Sequence, residues 1–194
     1  MIWVLLAVVV VLLAVIGWLV ARERRSRQLK EGFGPEYQRV VAEKGDQRAA
    51  ERELIERRER HQEFELRPLD ADMRQEYARR WKATQRHFVD EPIAAVGDAE
   101  ALVRDVMRNR GYPVDDDFEQ RAADISVDHP VVVENYRAAV EISGRATRGE
   151  ASTEDLRQAM VHFRALFADL LASSDQSSDS AEPRAADVPE TTRS

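Results

Sequence analysis

The chain has 194 residues, a formal net charge of −7 and no cysteine. The lack of cysteine excludes disulfides, thiolate metal sites and cysteine nucleophiles, and it agrees with a cytoplasmic location for the folded part. The net charge is +2 over residues 22–67, −6 over residues 68–172 and −3 over residues 173–194. Because nucleic acid phosphates require a cationic footprint, an acidic domain of this kind disfavours nucleic acid binding, and no nucleic acid partner is expected.

The first predicted element is an apolar run over residues 2–21 (IWVLLAVVVVLLAVIGWLVA), which contains no charge and no proline. At about 1.5 Å of helical rise per residue, the run spans the roughly 30 Å hydrocarbon core of a bilayer. Trp3 and Trp18 lie near its two ends, where indole rings favour the headgroup level. The pattern predicts a transmembrane anchor over residues 1–21, with the lipid bilayer as a partner.

A cleaved signal peptide is the alternative interpretation of this run. Signal peptides carry a basic segment before the apolar one and a small-residue cleavage site. Here the apolar residues begin at position 2, and WLVAR at residues 18–22 is a poor cleavage site, so an uncleaved single-pass anchor is favoured.

The orientation follows from a basic cluster in the predicted juxtamembrane segment 22–35. The positive-inside rule places the N-terminus outside the cell membrane and the C-terminal domain in the cytoplasm. The same cluster would attract anionic lipid headgroups. Its members are Arg22, Arg24, Arg25, Arg27 and Lys30.

Residues 36–67 are predicted to form a charged helical stalk. Pro35 favours the start of a helix, and the next proline is Pro68. Pairs of opposite charge occur at i,i+3 or i,i+4, as in Glu36 and Arg39 and in Glu53 and Arg57. Since the heptad positions are too polar for a dimeric coiled coil, a solvated helix is favoured over an oligomerisation zipper. A homo-oligomer therefore has no support in the sequence.

Four or five amphipathic helices are predicted over residues 68–172, which is typical of a small α-helical bundle. Asp70 or Asp72 would cap the first helix, which carries an aromatic stripe that includes Trp81 and runs to about Val89. The second helix runs from Pro92 to about Arg110, and Gly111 ends it.

The remaining helices are predicted from further capping signals. An aspartate within residues 115–117 would cap a short third helix, and a fourth would open at residues 128–130 and fray at Gly144 or Gly149. Ser152 and Asp155 have the form of a capping box for the last helix. The acidic tail 173–194 lacks aromatic residues and is predicted to be disordered. The fold class is therefore all-α: an N-terminal transmembrane helix, a charged helical stalk, a four/five-helix bundle and a disordered tail.

Residue patterns that would carry chemistry are scarce. His61, His87, His129 and His162 share no metal-ligand spacing, and residues 115–117 lack the alternating ligands of a calcium loop. No phosphate-binding glycine loop occurs. The sequence predicts no catalytic, cofactor-binding or metal-ligating residue, no cofactor, and a protein that is not an enzyme.

One basic face stands out on the acidic bundle. Arg79, Lys82 and Arg86 lie opposite the aromatic stripe of the first bundle helix. Opposite charge would draw an acidic partner to them. We interpret this "basic ridge" as a possible protein-docking site, with a merely solvated face as the alternative.

Six motif runs follow one another in a specific order along the chain. They are Phe33-Gly34-Pro35-Glu36-Tyr37, Gly45-Asp46-Gln47-Arg48, Phe88-Val89-Asp90-Glu91-Pro92, Arg110-Gly111-Tyr112-Pro113, Asp117-Phe118-Glu119-Gln120-Arg121-Ala122 and Val127-Asp128-His129-Pro130. In these runs the chain resembles a family of uncharacterised actinobacterial proteins that have a single N-terminal membrane helix. The resemblance spans roughly residues 1–172 and implies a location and an architecture, but no activity, substrate or catalytic residue.

Two function classes remain open. The first is a membrane-tethered cytoplasmic interaction or scaffold protein whose protein partner is unknown. The second is an enzyme or small-ligand binder with a pocket in the bundle. Buried ionisable groups with strongly shifted pKa values would favour the second class, whereas an apolar core with an exposed groove would favour the first.

Overall fold

The computed structural model describes residues 2–115 and 117–179, without the side chains of residues 2, 4–11, 14 and 173–179. This part of the chain is all-helical, with eight helices and no strand, so the predicted all-α class is confirmed. The helices are α1 (Ile2–Phe33), α2 (Pro35–Lys44), α3 (Gln47–His61), α4 (Ala71–Asp90), α5 (Pro92–Arg110), α6 (Phe118–Asp128), α7 (Val133–Thr147) and α8 (Thr153–Asp179).

The apolar run forms the first part of the 32-residue helix α1. Much of the predicted anchor falls on side chains outside the described set. Among the residues that are described, no helix is apolar over a length that would cross a membrane. The large apolar side chains described in this part of α1 are all exposed: Trp3, Leu12, Leu13, Val15, Ile16, Trp18, Leu19 and Val20.

The prediction of one solvated stalk helix over residues 36–67 is wrong, because the chain reverses in its middle. Gly45 ends α2 with a left-handed φ of 66°, which favours glycine, and the Asp46 carboxylate caps α3 by accepting a hydrogen bond from the Ala49 amide at 2.8 Å. The two helices then pack on the end of α1 around a small apolar core. Its buried residues are Leu29, Phe33, Tyr37, Val40, Ala50 and Leu54.

We call this assembly the hairpin unit: residues 26–61, comprising the end of α1 together with α2 and α3. The predicted pair between Glu53 and Arg57 is present at 2.9 Å. However, the sparse apolar residues of the segment face one another across the hairpin instead of facing solvent. Residues 26–33 of the predicted juxtamembrane segment belong to the hairpin unit, because Leu29 and Phe33 are buried in its core.

Helices α4 to α8 form the bundle, whose core consists mainly of apolar side chains, with Arg110 and Arg121 also buried. Of the aspartates predicted as alternative caps, Asp70 caps α4 and Asp117 caps α6, each by accepting a hydrogen bond from a main-chain amide. Gly111 ends α5 at φ 95°, and a Cβ there would lie 2.4 Å from the Glu65 carbonyl oxygen. The largest fully buried side chains of the bundle are Leu69, Met107, Ile125, Tyr136, Phe163, Leu166 and Leu170.

The last helix begins with the predicted capping box. The Ser152 amide donates to the Asp155 carboxylate at 2.8 Å, and the Asp155 amide donates to the Ser152 hydroxyl at 3.1 Å. The helix continues to Asp179, so the first seven residues of the predicted tail, 173–179, are helical. Residues 180–194 of the predicted tail lie outside the described residues.

The α6–α7 connection differs from the prediction. Helix α7 begins at Val133 and not at residues 128–130, because the His129 carbonyl accepts hydrogen bonds from the Val132 and Val133 amides and forms a turn first. At its other end α7 runs through Gly144 and stops at Thr147, so of the two predicted glycines it is Gly149 that follows the helix.

Candidate functional site

A group of charged side chains is buried or largely buried where the hairpin unit meets the bundle, and we call this boundary the seam. At its centre Glu36 of α2 is 2% exposed. Its carboxylate accepts a hydrogen bond from Arg57 of α3 at 2.9 Å and two from Arg137 of α7 at 2.8 and 2.9 Å. A two-pronged guanidinium–carboxylate contact fixes orientation as well as distance. These three residues, the Glu36 cluster, therefore clamp α2 and α3 to α7.

A second carboxylate balances the charge of the cluster. Arg57 also donates through Nε to Glu53 at 2.9 Å. Burial alone would raise the pKa of the Glu53 carboxyl, but the hydrogen bond and charge of Arg57, together with Lys44, outweigh it and hold that pKa below its usual value. The buried Arg57 and the largely buried Arg137 thus face two carboxylates, those of Glu36 and Glu53, which is the balance of charge that a buried ion network requires.

A charged cleft of about 570 Å³ opens beside the Glu36 cluster, between the hairpin unit and the start of α6. Its walls carry four carboxylates and two guanidinium groups, so the cleft is polar and of mixed charge. The lining residues are Arg39, Glu43, Glu53, Arg57, Asp117, Glu119, Gln120 and Ala123.

Further along the seam, hydrogen bonds join α3 to the far end of α6. Arg60 donates to Asp124 at 3.1 Å, and His61 Nε2 lies 2.6 Å from Asp128 Oδ2. Tyr112 donates to the same Asp128 oxygen at 2.5 Å. Burial raises the pKa of the Tyr112 hydroxyl, and the adjacent Asp128 carboxylate raises it further. Burial would also raise the pKa of Asp128, but the hydrogen bonds from His61 and Tyr112 outweigh it and lower that pKa.

His129 extends this network from the turn before α7 to α8. Its ring is buried, and Nδ1 lies 2.5 Å from Asp169 Oδ2. Burial lowers the pKa of the ring, and the opposing effect of Asp169 does not restore it. Nε2 is also buried and has no hydrogen-bond partner among the described residues. These contacts favour a neutral ring that donates its Nδ1 proton to Asp169.

We expect this buried ring to make stability depend on pH. Since the pKa of His129 is lower in the folded protein than the usual value of about 6.5, the unfolded chain takes up the proton first as pH falls. The free energy of unfolding should therefore decrease between pH 7.5 and 5.5, by at most about 1.4 kcal/mol per pH unit. Thermal unfolding in detergent, followed by circular dichroism, measures the slope.

The His129→Asn variant separates this effect from other titrations. An asparagine amide still donates from near the Nδ1 position but does not titrate, so the slope should flatten. The matched control is His87→Asn, because His87 is more exposed and pairs with Asp98 at 2.8 Å on the surface. A His129→Asn protein that keeps the wild-type slope would contradict the assignment, as would flattening in His87→Asn alone.

The four histidines are placed separately. His61 and His129 belong to the seam, His87 pairs with Asp98, and His162 contacts Asn135 at 2.8 Å. Within the described residues, no group of three or more histidine, aspartate or glutamate side chains is arranged to hold a metal ion.

The basic ridge lies apart from the seam, on the outer face of α4. Arg79, Lys82 and Arg86 are exposed, and Arg79 pairs with Glu76 on the same helix at 2.7 Å. Between them Trp81 points inward, is 6% exposed and stacks on Phe167 with the ring centroids 4.8 Å apart. The assignment of Trp81 to the core is confirmed, whereas binding by the ridge stays a prediction.

No known protein family, curated protein or solved structure matches the chain. The resemblance to the actinobacterial membrane-anchored family therefore stays a prediction from its sequence motifs. Inferences about function rest on the residues and geometry of this chain.

Proposed function

We propose that the protein is a membrane-tethered cytoplasmic interaction protein, anchored through residues 2–21. The observation that carries the proposal is the exposure of the apolar part of α1. Its described large apolar side chains expose 46–83% of their surface, from Val20 to Trp3. Exposed large apolar side chains in such number mark a surface that another apolar surface covers. A run of 20 residues followed by arginines fits a bilayer as that cover.

The continuity of α1 supports a short and rigid tether. The helix runs without a break from Ile2 to Phe33, and its end is buried in the hairpin unit. The Glu36 cluster then holds the hairpin unit against α7. The bundle would therefore stand at a fixed height above the membrane and not swing on a flexible linker.

The surface that we propose for partner binding is the basic ridge. Arg79, Lys82 and Arg86 project from a bundle of net charge −6, so they offer a local positive surface to an acidic protein. The apolar core beneath the ridge supplies a stable platform for them. The partner is a protein whose identity the sequence does not specify.

A small-ligand binder or enzyme is the second candidate, and the cleft of about 570 Å³ favours it. The cleft lies at the seam and not in the bundle core, where the second candidate was expected to place its pocket. The buried charges of the Glu36 cluster are paired with one another, which is typical of a structural joint. We therefore prefer the interaction protein.

A reporter fusion tests the anchor and its orientation. An enzyme that is active only outside the cell, fused after Ser194, should be inactive, because the positive residues that follow the apolar run hold the C-terminal domain in the cytoplasm. The matched control is a reporter that is active only in the cytoplasm, fused at the same position, which should be active. Activity of the external reporter would contradict the proposed topology.

A further inference from the structure

We propose that the membrane-facing end of the hairpin unit binds anionic phospholipid headgroups. The binding surface is a "basic collar" made of Arg24 and Arg25 of α1 together with Arg48 and Arg52 of α3. This inference rests on the proposed membrane anchor and names the class of lipid that the anchored protein contacts. The sequence predicted such a role only for basic residues of α1, namely the cluster from Arg22 to Lys30, and the fold adds the two arginines of α3.

The side-by-side packing of α1 and α3 places the α1 arginines and the α3 arginines of the collar at the same level along the axis of α1. The Ser26 hydroxyl donates to Glu51 at 2.7 Å, and the Arg58 guanidinium lies 5.5 Å from the centre of the Phe33 ring. Both contacts join residues that are 25 positions apart, so α3 runs beside α1 in the same direction.

By this register Arg48 is level with Glu23, and Arg52 is level with Arg27. Position 23 is two residues beyond the end of the apolar run, or about 3 Å along the helix. Helix α3 therefore begins at the depth where headgroups surround an anchor formed by residues 2–21. Because the chain reverses at Gly45, Arg48 and Arg52 in the first turns of α3 lie at the depth of the headgroups.

The acidic side chains at this end of the hairpin unit are engaged internally. Asp46 caps α3, and Glu51 accepts hydrogen bonds from Ser26, from the Tyr37 hydroxyl at 3.0 Å and from Gln47 at 2.8 Å. Glu23 pairs with Arg27 at 3.1 Å. These carboxylates therefore bind other groups of the hairpin unit and do not form ion pairs with the collar arginines.

The collar arginines, by contrast, have no such partners. Arg24, Arg25, Arg48 and Arg52 are all exposed, and none of them forms a salt bridge among the described residues. A guanidinium group binds phosphate oxygens through two parallel hydrogen bonds. Four unpaired guanidinium groups within a Debye length of a headgroup layer favour lipids that carry a net negative charge.

The test measures lipid selectivity around the full chain, reconstituted in phosphatidylcholine vesicles that contain a trace of spin-labelled lipid. Electron paramagnetic resonance gives the fraction of label whose motion the protein restricts. That fraction should be several-fold larger for spin-labelled phosphatidylglycerol than for spin-labelled phosphatidylcholine at low salt. The preference should shrink at high salt, because screening weakens contacts between exposed charges.

Variants assign the preference to α3. Arg48→Gln combined with Arg52→Gln should reduce it, while Arg48→Lys combined with Arg52→Lys should keep most of it. The matched control is Arg148→Gln combined with Arg164→Gln, which removes two exposed arginines of the bundle and should leave the preference unchanged. All four side chains are exposed, so helical circular dichroism should stay the same in every variant.

The possible results distinguish a failure of the proposed lipid binding by the collar from a failure of the proposed membrane anchor. A chain that alkaline carbonate releases from pure phosphatidylcholine vesicles would overturn the proposed anchor, and the collar with it. A chain that stays in those vesicles but shows no phosphatidylglycerol preference would overturn the collar and leave the anchor standing. A preference that survives Arg48→Gln with Arg52→Gln would overturn the contribution of α3.

Discussion

Replacement of Trp81 by alanine should lower the free energy of unfolding by about 3–5 kcal/mol. The indole is 6% exposed and stacks on Phe167 of α8 at an interplanar angle of 22°, so its removal leaves a cavity between α4 and α8. Chemical denaturation of the full chain in detergent, followed by far-ultraviolet circular dichroism, measures the loss.

Trp81→Phe is the matched control for this variant. The indole Nε1 has no hydrogen-bond partner among the described residues, so phenylalanine gives up no hydrogen bond and keeps an aromatic face toward Phe167. It should cost less than about 1.5 kcal/mol. A loss below about 1 kcal/mol in Trp81→Ala would contradict the core assignment and would make Trp81 a candidate binding residue.

Replacement of Glu36 by alanine should cost a similar amount, about 3–5 kcal/mol. The change removes the carboxylate that Arg57 and Arg137 share, so the buried Arg57 and the largely buried Arg137 lose this partner. The same unfolding experiment measures the effect. In addition, the seam should open before the bundle unfolds, so amide hydrogen exchange in α2 and α3 should accelerate more than exchange in α5.

Glu43→Ala is the control for Glu36→Ala. Glu43 also pairs with an arginine, Arg39 at 3.2 Å, but its side chain is half exposed. Exposed ion pairs contribute about 0–1 kcal/mol, so this variant should be nearly as stable as the wild type. Equal losses in the two variants would show that the Glu36 cluster does not hold the seam together.

Local signals in the sequence predicted most of the bundle. The cap at Asp70, the cap at Asp117, the termination at Gly111 and the capping box at Ser152 all depend on residues within one helical turn. The inward position of Trp81 follows from the period of the helix. Such features can be read from a short window, because the groups that interact are close in the chain.

The hairpin unit and the seam could not be predicted in the same way. Glu36 and Arg137 are 101 positions apart, and no local pattern around either residue indicates that the two side chains form an ion pair. The spacing between Glu36 and Arg39 suggested a surface pair, and at 3.8 Å that pair is a minor contact beside the buried ones. A weaker signal was present, since Glu36 lies one helical turn before Val40 and therefore shares its buried face.

The misjudged stalk has a related cause. Apolar residues repeat in a heptad pattern only along an unbroken helix, but in this segment Gly45 ends one helix and Asp46 caps the next. Once the chain reverses, a few apolar residues on each arm are enough to form a core. The dipeptide Gly45-Asp46 indicated this break, because glycine favours the end of one helix and aspartate the start of the next. These two local signals predict the helix hairpin better than the absence of a heptad pattern predicts a solvated helix.

Cysteine labelling tests most directly whether residues 2–21 lie within a bilayer, as we claim. The chain has no native cysteine, so a single cysteine introduced by Leu12→Cys, Val15→Cys or Gln28→Cys is the only thiol present. With a membrane-impermeant maleimide, the cysteines at positions 12 and 15 should stay unlabelled until detergent is added. The cysteine at position 28 should react in inverted vesicles but not in intact cells. Labelling at positions 12 and 15 in intact membranes, at the rate seen for position 28 in inverted vesicles, would contradict the claim.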